Sequence, residues 1–121
     1  MLVTVIIPVY NEEKFIKEIL TRINKIKNID KEIIVINDHS EDNTKKILEN
    51  ECNELYTKLI NNKKNMGKGF SCREGIKSSS GEIVIVQDAD LEYNPEDYQK
   101  LIDPILKGQT SVVYGSRVLP G

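Results

Sequence analysis

Short runs of β-branched residues, spaced along the chain and separated by segments of helical periodicity, constrain the fold of this sequence more than any other feature. Val3 to Ile7, Glu32 to Ile36 and Glu82 to Val86 are short and nearly continuously apolar. A strand with one wet face alternates, whereas a strand covered on both faces reads as an unbroken apolar run. Alternation of such runs with helical patterns predicts strand-helix units, hence an α/β, Rossmann-like, mostly parallel sheet with helices on both faces. Tyr56 to Ile60, interrupted by Thr57 and Lys58, reads as a weaker strand nearer an edge. Ser111 to Tyr114 reads as a fifth strand.

The connecting segments carry their own signals. Pro8 is expected to stop the first strand, and Asn11 to cap a helix whose apolar stripe is Phe15, Ile16, Ile19, Leu20, Ile23 and Ile26. A polar helix follows Asp38 and Ser40 and runs through Ile47 and Leu48. Residues 61–69 form a polar loop, followed by a helix of thin apolar stripe from about Gly69 to Ser79, ended by Gly81. Asn94-Pro95 starts a further helix, interrupted at Pro104 and closed by Gly108.

With 121 residues, 39% of them hydrophobic, the chain builds one core, and residues 1–121 read as a single domain. Its 17 basic and 19 acidic residues nearly cancel, which argues against nucleic acid as a partner. Cys52 and Cys72 stand apart with no C-x-x-C pair, which fits a reducing compartment better than a disulfide framework. The apolar N-terminus is too short for a signal peptide and lacks a basic leader, and no run approaches the roughly 18 apolar residues that span a bilayer. A cytoplasmic chain is expected.

In an open parallel sheet, ligands bind beyond the carboxyl ends of the strands. Those ends carry Pro8, Tyr10, Asn11 and Glu12, then Asp38 and Ser40, then Asp88 and Asp90, then Gly115, Ser116 and Arg117. Asp88-Ala89-Asp90 places two carboxylates where the run Ile83 to Val86 gives out. Such a pair near apolar surroundings calls for a compensating cation, and oxygen-rich sites suit Mg²⁺ or Mn²⁺ shared with substrate phosphate. Tyr10 offers a ring either to a nucleobase or ribose or to packing. Asp38 has two readings, acceptor for the imide hydrogen of a pyrimidine or the matching group of guanine, and Asx turn or helix cap. Lys68, in Gly67-Lys68-Gly69, brings a cation on a flexible loop to the same rim, without the Walker pattern. Glu92 joins a metal shell or is a solvated acid, and Arg117 grips a phosphate or lies on the surface. His39 has no partner identifiable in the sequence and reads as a turn residue.

The segments Val3 to Glu12, Ile34 to Thr44, Asn65 to Gly69, Asp88 to Glu92 and Val113 to Arg117 resemble, in order and spacing, the successive motifs of family 2 glycosyltransferases. Within that family the likeness extends to the branch of dolichyl-phosphate mannosyltransferases and polyprenyl-phosphate glycosyltransferases. One departure stands out: the usual Asp-Asp-Gly-Ser appears here as Asn37-Asp38-His39-Ser40.

The resemblance implies a GT-A fold that binds a GDP- or UDP-sugar and transfers the sugar with inversion to a lipid-phosphate or glycan acceptor. It implies that Pro8, Tyr10, Glu12 and Asp38 hold the nucleoside, with Lys68 near the diphosphate and Asp88-Ala89 at the sugar nucleotide. Asp88, Asp90 and Glu92 are the implied metal ligands, and Asp90 and Arg117 the catalytic pair. It further implies an acceptor-binding part beyond the fifth strand, so the chain is expected to be the donor-binding half, associating with the cytoplasmic face of a membrane through that further part. The rival expectation is a nucleotide-sugar-binding module without transfer activity of its own. A sugar nucleotidyltransferase would need a glycine-rich basic loop after the first strand, and Val9-Tyr10-Asn11-Glu12 offers none.

Overall fold

The computed structural model describes residues 2–27 and 29–89, together with the backbone of 112–114 and 117–119. Its elements are β1 (Leu2–Val9), α1 (Ile16–Asn24), β2 (Asp30–Asn37), α2 (Thr44–Asn50), β3 (Lys58–Asn61), α3 (Lys68–Lys77), β4 (Ile83–Val86), β5 (Val112–Tyr114) and β6 (Arg117–Leu119). The strands form one sheet in the order β3-β2-β1-β4-β5-β6, parallel except for the β5–β6 pair. The chain thus builds outward from β1 to β3 and then returns to the opposite side of β1, which places a topological switch between β1 and β4. The helix expected from Asn94 to Gly108 lies outside the described residues.

Strand burial follows from the alternation of side chains. Val3, Val5, Ile7 and Val9 share a cluster with Ile16, Ile19, Leu20 and Ile23 of α1 and Leu48 of α2. Ile6, Ile34, Ile36, Val84 and Val86 cluster instead with Cys72 of α3, so both faces of the sheet are covered. The four α1 residues are fully buried, each contributing about 1.5–3 kcal/mol of transfer free energy. The stripe of α3 is thin because that helix packs through small residues. A Cβ on Gly75 would stand 2.6 Å from Ile6 Cγ2 and 2.9 Å from Ile36 Cδ1, so this helix approaches the sheet through a position without a side chain. Cys52 and Cys72 are free and buried, and burial pushes both thiols up, so they stay protonated and pack as small hydrophobes.

Three sequence expectations are corrected. β1 does not stop at Pro8 but runs through it to Val9, pairing with β2 as far as Val9↔Asn37. Ile6 O accepts from Gln87 N on the β4 side and Val9 O from Asp38 N on the β2 side. The missing donor of Pro8 therefore faces the β4 side, where pairing has already ended at Ile6↔Val86, and no ladder bond is lost. Asn11 does not cap α1; the helix starts behind Phe15 with no side-chain cap, and Phe15 is exposed rather than part of the stripe. A sixth strand, antiparallel and beginning at Arg117, was not anticipated.

At the amino end of the sheet, Glu32 is buried and accepts from Thr4 Oγ1 (2.9 Å) and Ser80 N (2.8 Å), with Lys58 Nζ at 3.8 Å. Thr4 Oγ1 in turn accepts from Gly81 N at 2.9 Å, and a Cβ on Gly81 would stand 2.6 Å from Thr4 N. Gly81 is thus a point of close backbone approach. Burial pushes the Glu32 carboxyl up, but the Ser80 and Thr4 donors and Lys58 together pull it below its ordinary 4.5. A depressed folded-state value stabilises the fold fully above the unfolded value and loses that contribution as pH falls through the folded one. Glu32→Gln is therefore expected to cost about 2 kcal/mol at pH 7 and to flatten the acid limb below pH 4.5, read from urea unfolding across pH.

Candidate functional site

Two rim loops are tied together by side chains bonding to backbone. Asn11 takes a positive φ of 52°, and its Oδ1 accepts from Glu41 N (2.8 Å) and Asp42 N (3.3 Å). Asn11 N donates to Ser40 Oγ, Glu12 N to Thr44 Oγ1 and Glu13 N to Asp42 Oδ2. Burial raises the Asp42 carboxyl, but the Thr44 hydroxyl and N–H and the Glu13 N–H outweigh it and hold it low. The loop after β1 is thereby fixed against the loop after β2, which sets Tyr10 and Asp38 on one rim.

Asp38 is 4% exposed, yet it forms neither an Asx turn nor a helix cap. Its Oδ1 accepts from Met66 N (2.7 Å) and Asn62 Nδ2 (2.9 Å), and its Oδ2 from Gly67 N (2.9 Å). Asn37 makes the turn instead: its Oδ1 accepts from the N–H and hydroxyl of Ser40, while its Nδ2 donates to Asn61 Oδ1 at 3.1 Å. An aspartate at position 37 could not make that last bond, which gives the departure from Asp-Asp-Gly-Ser a physical partner on β3. His39 stands at the position of the usual glycine with φ of 58°, and its Nδ1 lies 3.4 Å from Asn62 O.

Lys68 is not on a flexible loop. Gly67, at φ of 91°, precedes α3, and Lys68 is the first residue of that helix. Its ammonium forms an ion pair with Asp88, whose side chain is 15% exposed at the end of β4.

These groups enclose a cavity of about 200 Å³ at the switch between β1 and β4. Pro8, Tyr10 and Glu12 come from the end of β1, Asp38 from β2, Lys68 from α3, and Asp88 and Ala89 from β4. Every residue expected to bind a nucleotide sugar thus lines the same cavity. Three residues were missed. Val9 and Ser71 also line it, and Asn62 bridges Asp38 Oδ1 and Ser71 Oγ (3.0 Å) through its amide. Ser71 sits one helical turn after Lys68, a spacing that could have revealed it; no sequence signal ties Asn62 to Asp38.

Asp90 and Glu92 lie outside the described residues, as does the side chain of Arg117, whose backbone pairs with Tyr114. Among the described residues, no three His, Cys, Asp or Glu side chains group closely enough to hold a metal. Asp88 supplies one carboxylate of the kind that Mg²⁺ shares with phosphate oxygens and water, and it is paired with the Lys68 ammonium. No helix among the described residues is long and apolar enough to cross a membrane.

Residues 4–121 match the family described as Glycosyl transferase family 2. A dolichol-phosphate mannosyltransferase of Pyrococcus furiosus is 36% identical over 122 residues, covering 100% of this chain and 34% of the relative. An undecaprenyl-phosphate 4-deoxy-4-formamido-L-arabinose transferase of Proteus mirabilis is 36% identical over 107 residues, covering 83% of this chain and 32% of the relative. The chain therefore spans about a third of the length of these relatives. Among solved structures, S. aureus TarS 1-349 in complex with UDP-GlcNAc superposes with a TM-score of 0.70 at 27% identity, covering 88% of this chain and 32% of that one.

Proposed function

Because the chain belongs to glycosyl transferase family 2, we propose that its rim cavity holds the nucleoside diphosphate of a sugar donor, as the donor-binding half of an inverting transferase acting on a polyprenyl phosphate. The observation that carries this reading is the convergence of three strand ends and the start of α3 on one cavity at the β1–β4 switch. Named relatives acting on dolichol phosphate and undecaprenyl phosphate support the acceptor class, and the UDP-GlcNAc complex of TarS supports the donor class.

The residues divide the work. Tyr10, 44% exposed, presents its ring to the base or ribose. Asp38 spends three acceptor positions on Asn62, Met66 and Gly67 and keeps one on Oδ2 for an imide N–H of uracil or guanine. Lys68 supplies positive charge to the diphosphate, while Asp88, with Asp90 and Glu92, would hold Mg²⁺ or Mn²⁺. Bound there, the metal neutralises charge that builds on the leaving diphosphate. Arg117 would grip phosphate of donor or acceptor.

An acceptor phosphate oxygen attacks the anomeric carbon from the face opposite the diphosphate; the new C–O bond forms as the old one breaks, and its electron pair leaves on the diphosphate. A phosphate monoester, with a second pKa of about 6, is already anionic near neutral pH, so no base need remove a proton. The reaction would take place at the cytoplasmic face of a membrane. The test is nucleotide release from a UDP- or GDP-sugar by the protein with Mn²⁺. Release is expected to rise with polyprenyl phosphate and not with the free polyprenol; equal stimulation by the alcohol or by a soluble glycan would overturn the acceptor assignment.

A further inference from the structure

The loop between β3 and α3 has two sides. One serves the donor cavity through the Met66 and Gly67 N–H groups on Asp38. The other borders a groove of about 380 Å³, lined by Ile60, Lys63, Lys64, Met66 and Phe70, with Glu74, paired to Lys77, on its α3 side. Met66 is 39% exposed there. Charge is distributed unevenly around it: between residues 58 and 77, Lys58, Lys63, Lys64, Lys68, Arg73 and Lys77 stand against Glu74 alone, a local net of +5 in a chain of net −2.

Some of these cations are committed. Lys58 bonds to Ser78 O and faces Glu32, Lys68 pairs with Asp88, and Lys77 pairs with Glu74. Lys63, Lys64 and Arg73 are exposed and have no ion-pair partner among the described residues. An acidic chain thus carries a basic segment with three cations outside any ion pair among the described residues, two of them lining an exposed apolar groove beside its donor cavity, which complements an anionic, amphipathic surface. We infer that the β3–α3 edge, bearing Lys63 and Lys64 beside Met66 and Phe70, with Arg73 exposed on the same helix as Phe70, is the face on which the protein docks to an anionic lipid bilayer. The cations meet headgroup phosphates and the apolar pair the acyl boundary. The choice of a bilayer over a soluble polyanion rests on the lipid-linked acceptor proposed above; a nucleic acid or acidic protein would use the lysines but not the apolar floor.

Co-sedimentation with phosphatidylcholine vesicles, with and without phosphatidylglycerol, tests this. The chain is expected to partition only onto the anionic vesicles, and less so as salt rises. Lys63→Glu with Lys64→Glu should weaken partitioning by at least roughly tenfold, since each basic side chain near an anionic surface is worth about fivefold. Nucleotide affinity and the urea midpoint should not change. Phe70→Ser should also lower vesicle binding while leaving heparin binding unchanged. Equal partitioning onto pure phosphatidylcholine, no partitioning onto anionic vesicles, or vesicle binding insensitive to the lysine reversals would overturn the inference. So would heparin binding that follows the lysine reversals with Phe70→Ser leaving vesicle binding intact. Vesicle binding without nucleotide binding would count against the donor cavity instead, and nucleotide binding without vesicle binding against this face alone.

Discussion

Replacing Asp38 with alanine is expected to cost roughly 3 kcal/mol of stability and to weaken nucleotide binding by at least about tenfold. The stability term follows from what the carboxylate holds. Removing it leaves the Met66 and Gly67 N–H groups and one Asn62 amide hydrogen without their acceptor, and an orphaned buried donor costs about 1–3 kcal/mol. The binding term follows from loss of the remaining acceptor on Oδ2 and from release of the turn that precedes Lys68. Asp38→Asn separates the two effects. Its carbonyl oxygen keeps the Met66 and Asn62 bonds, while its amide opposes the Gly67 N–H and cannot accept from an imide. The variant should therefore recover part of the stability but none of the base recognition. Urea unfolding at pH 7 and calorimetric titration with UDP and GDP read the two quantities independently.

Asp88→Ala should show the opposite division. The Lys68–Asp88 pair is half exposed on its lysine side, and such pairs are worth at most about 1 kcal/mol, so the urea midpoint should barely move. Nucleoside diphosphate affinity in Mn²⁺ should nevertheless fall on the order of 100-fold, because even supporting residues around a metal cost 10–100-fold when removed, and Asp88 is assigned as a direct ligand. Chelation of the wild-type protein should reproduce that loss, and in EDTA the wild type and Asp88→Ala should bind nucleotide alike. A variant that lost nucleotide affinity equally with and without metal would reassign Asp88 to holding Lys68 in place.

Much of this was legible in the sequence, for physical reasons that differ by residue. β1, β2 and β4 announced themselves because strands covered on both faces leave almost no polar positions, as in Ile33 to Ile36 and Ile83 to Val86. The cavity residues were legible because a parallel sheet delivers its strand ends to one rim. What escaped depended on tertiary partners. Whether Pro8 ends a strand depends on where β4 stops, which Pro8 itself does not encode. Asn11 carries the composition of a cap, yet its carbonyl oxygen serves the Glu41 and Asp42 N–H groups, thirty positions away in sequence for the first. Lys68 looked like a loop residue between two glycines, until Asp38 held the N–H groups that set the start of α3. The helix α3 was legible, but its thin stripe did not reveal how it meets the sheet, which is through Ser71, Cys72 and Gly75, residues that contribute closeness rather than apolar bulk.

The β1–β4 rim cavity is proposed to bind the nucleoside diphosphate of a sugar donor through Asp38 and a metal held at Asp88. Titration of UDP and of GDP into the chain in Mn²⁺, repeated in EDTA, tests it most directly. One of the two nucleotides should bind with one-to-one stoichiometry, on the order of 100-fold more weakly after chelation, and Asp38→Asn should weaken that binding by at least about tenfold. Failure of both nucleotides to bind, or binding that neither chelation nor Asp38→Asn alters, would contradict the claim.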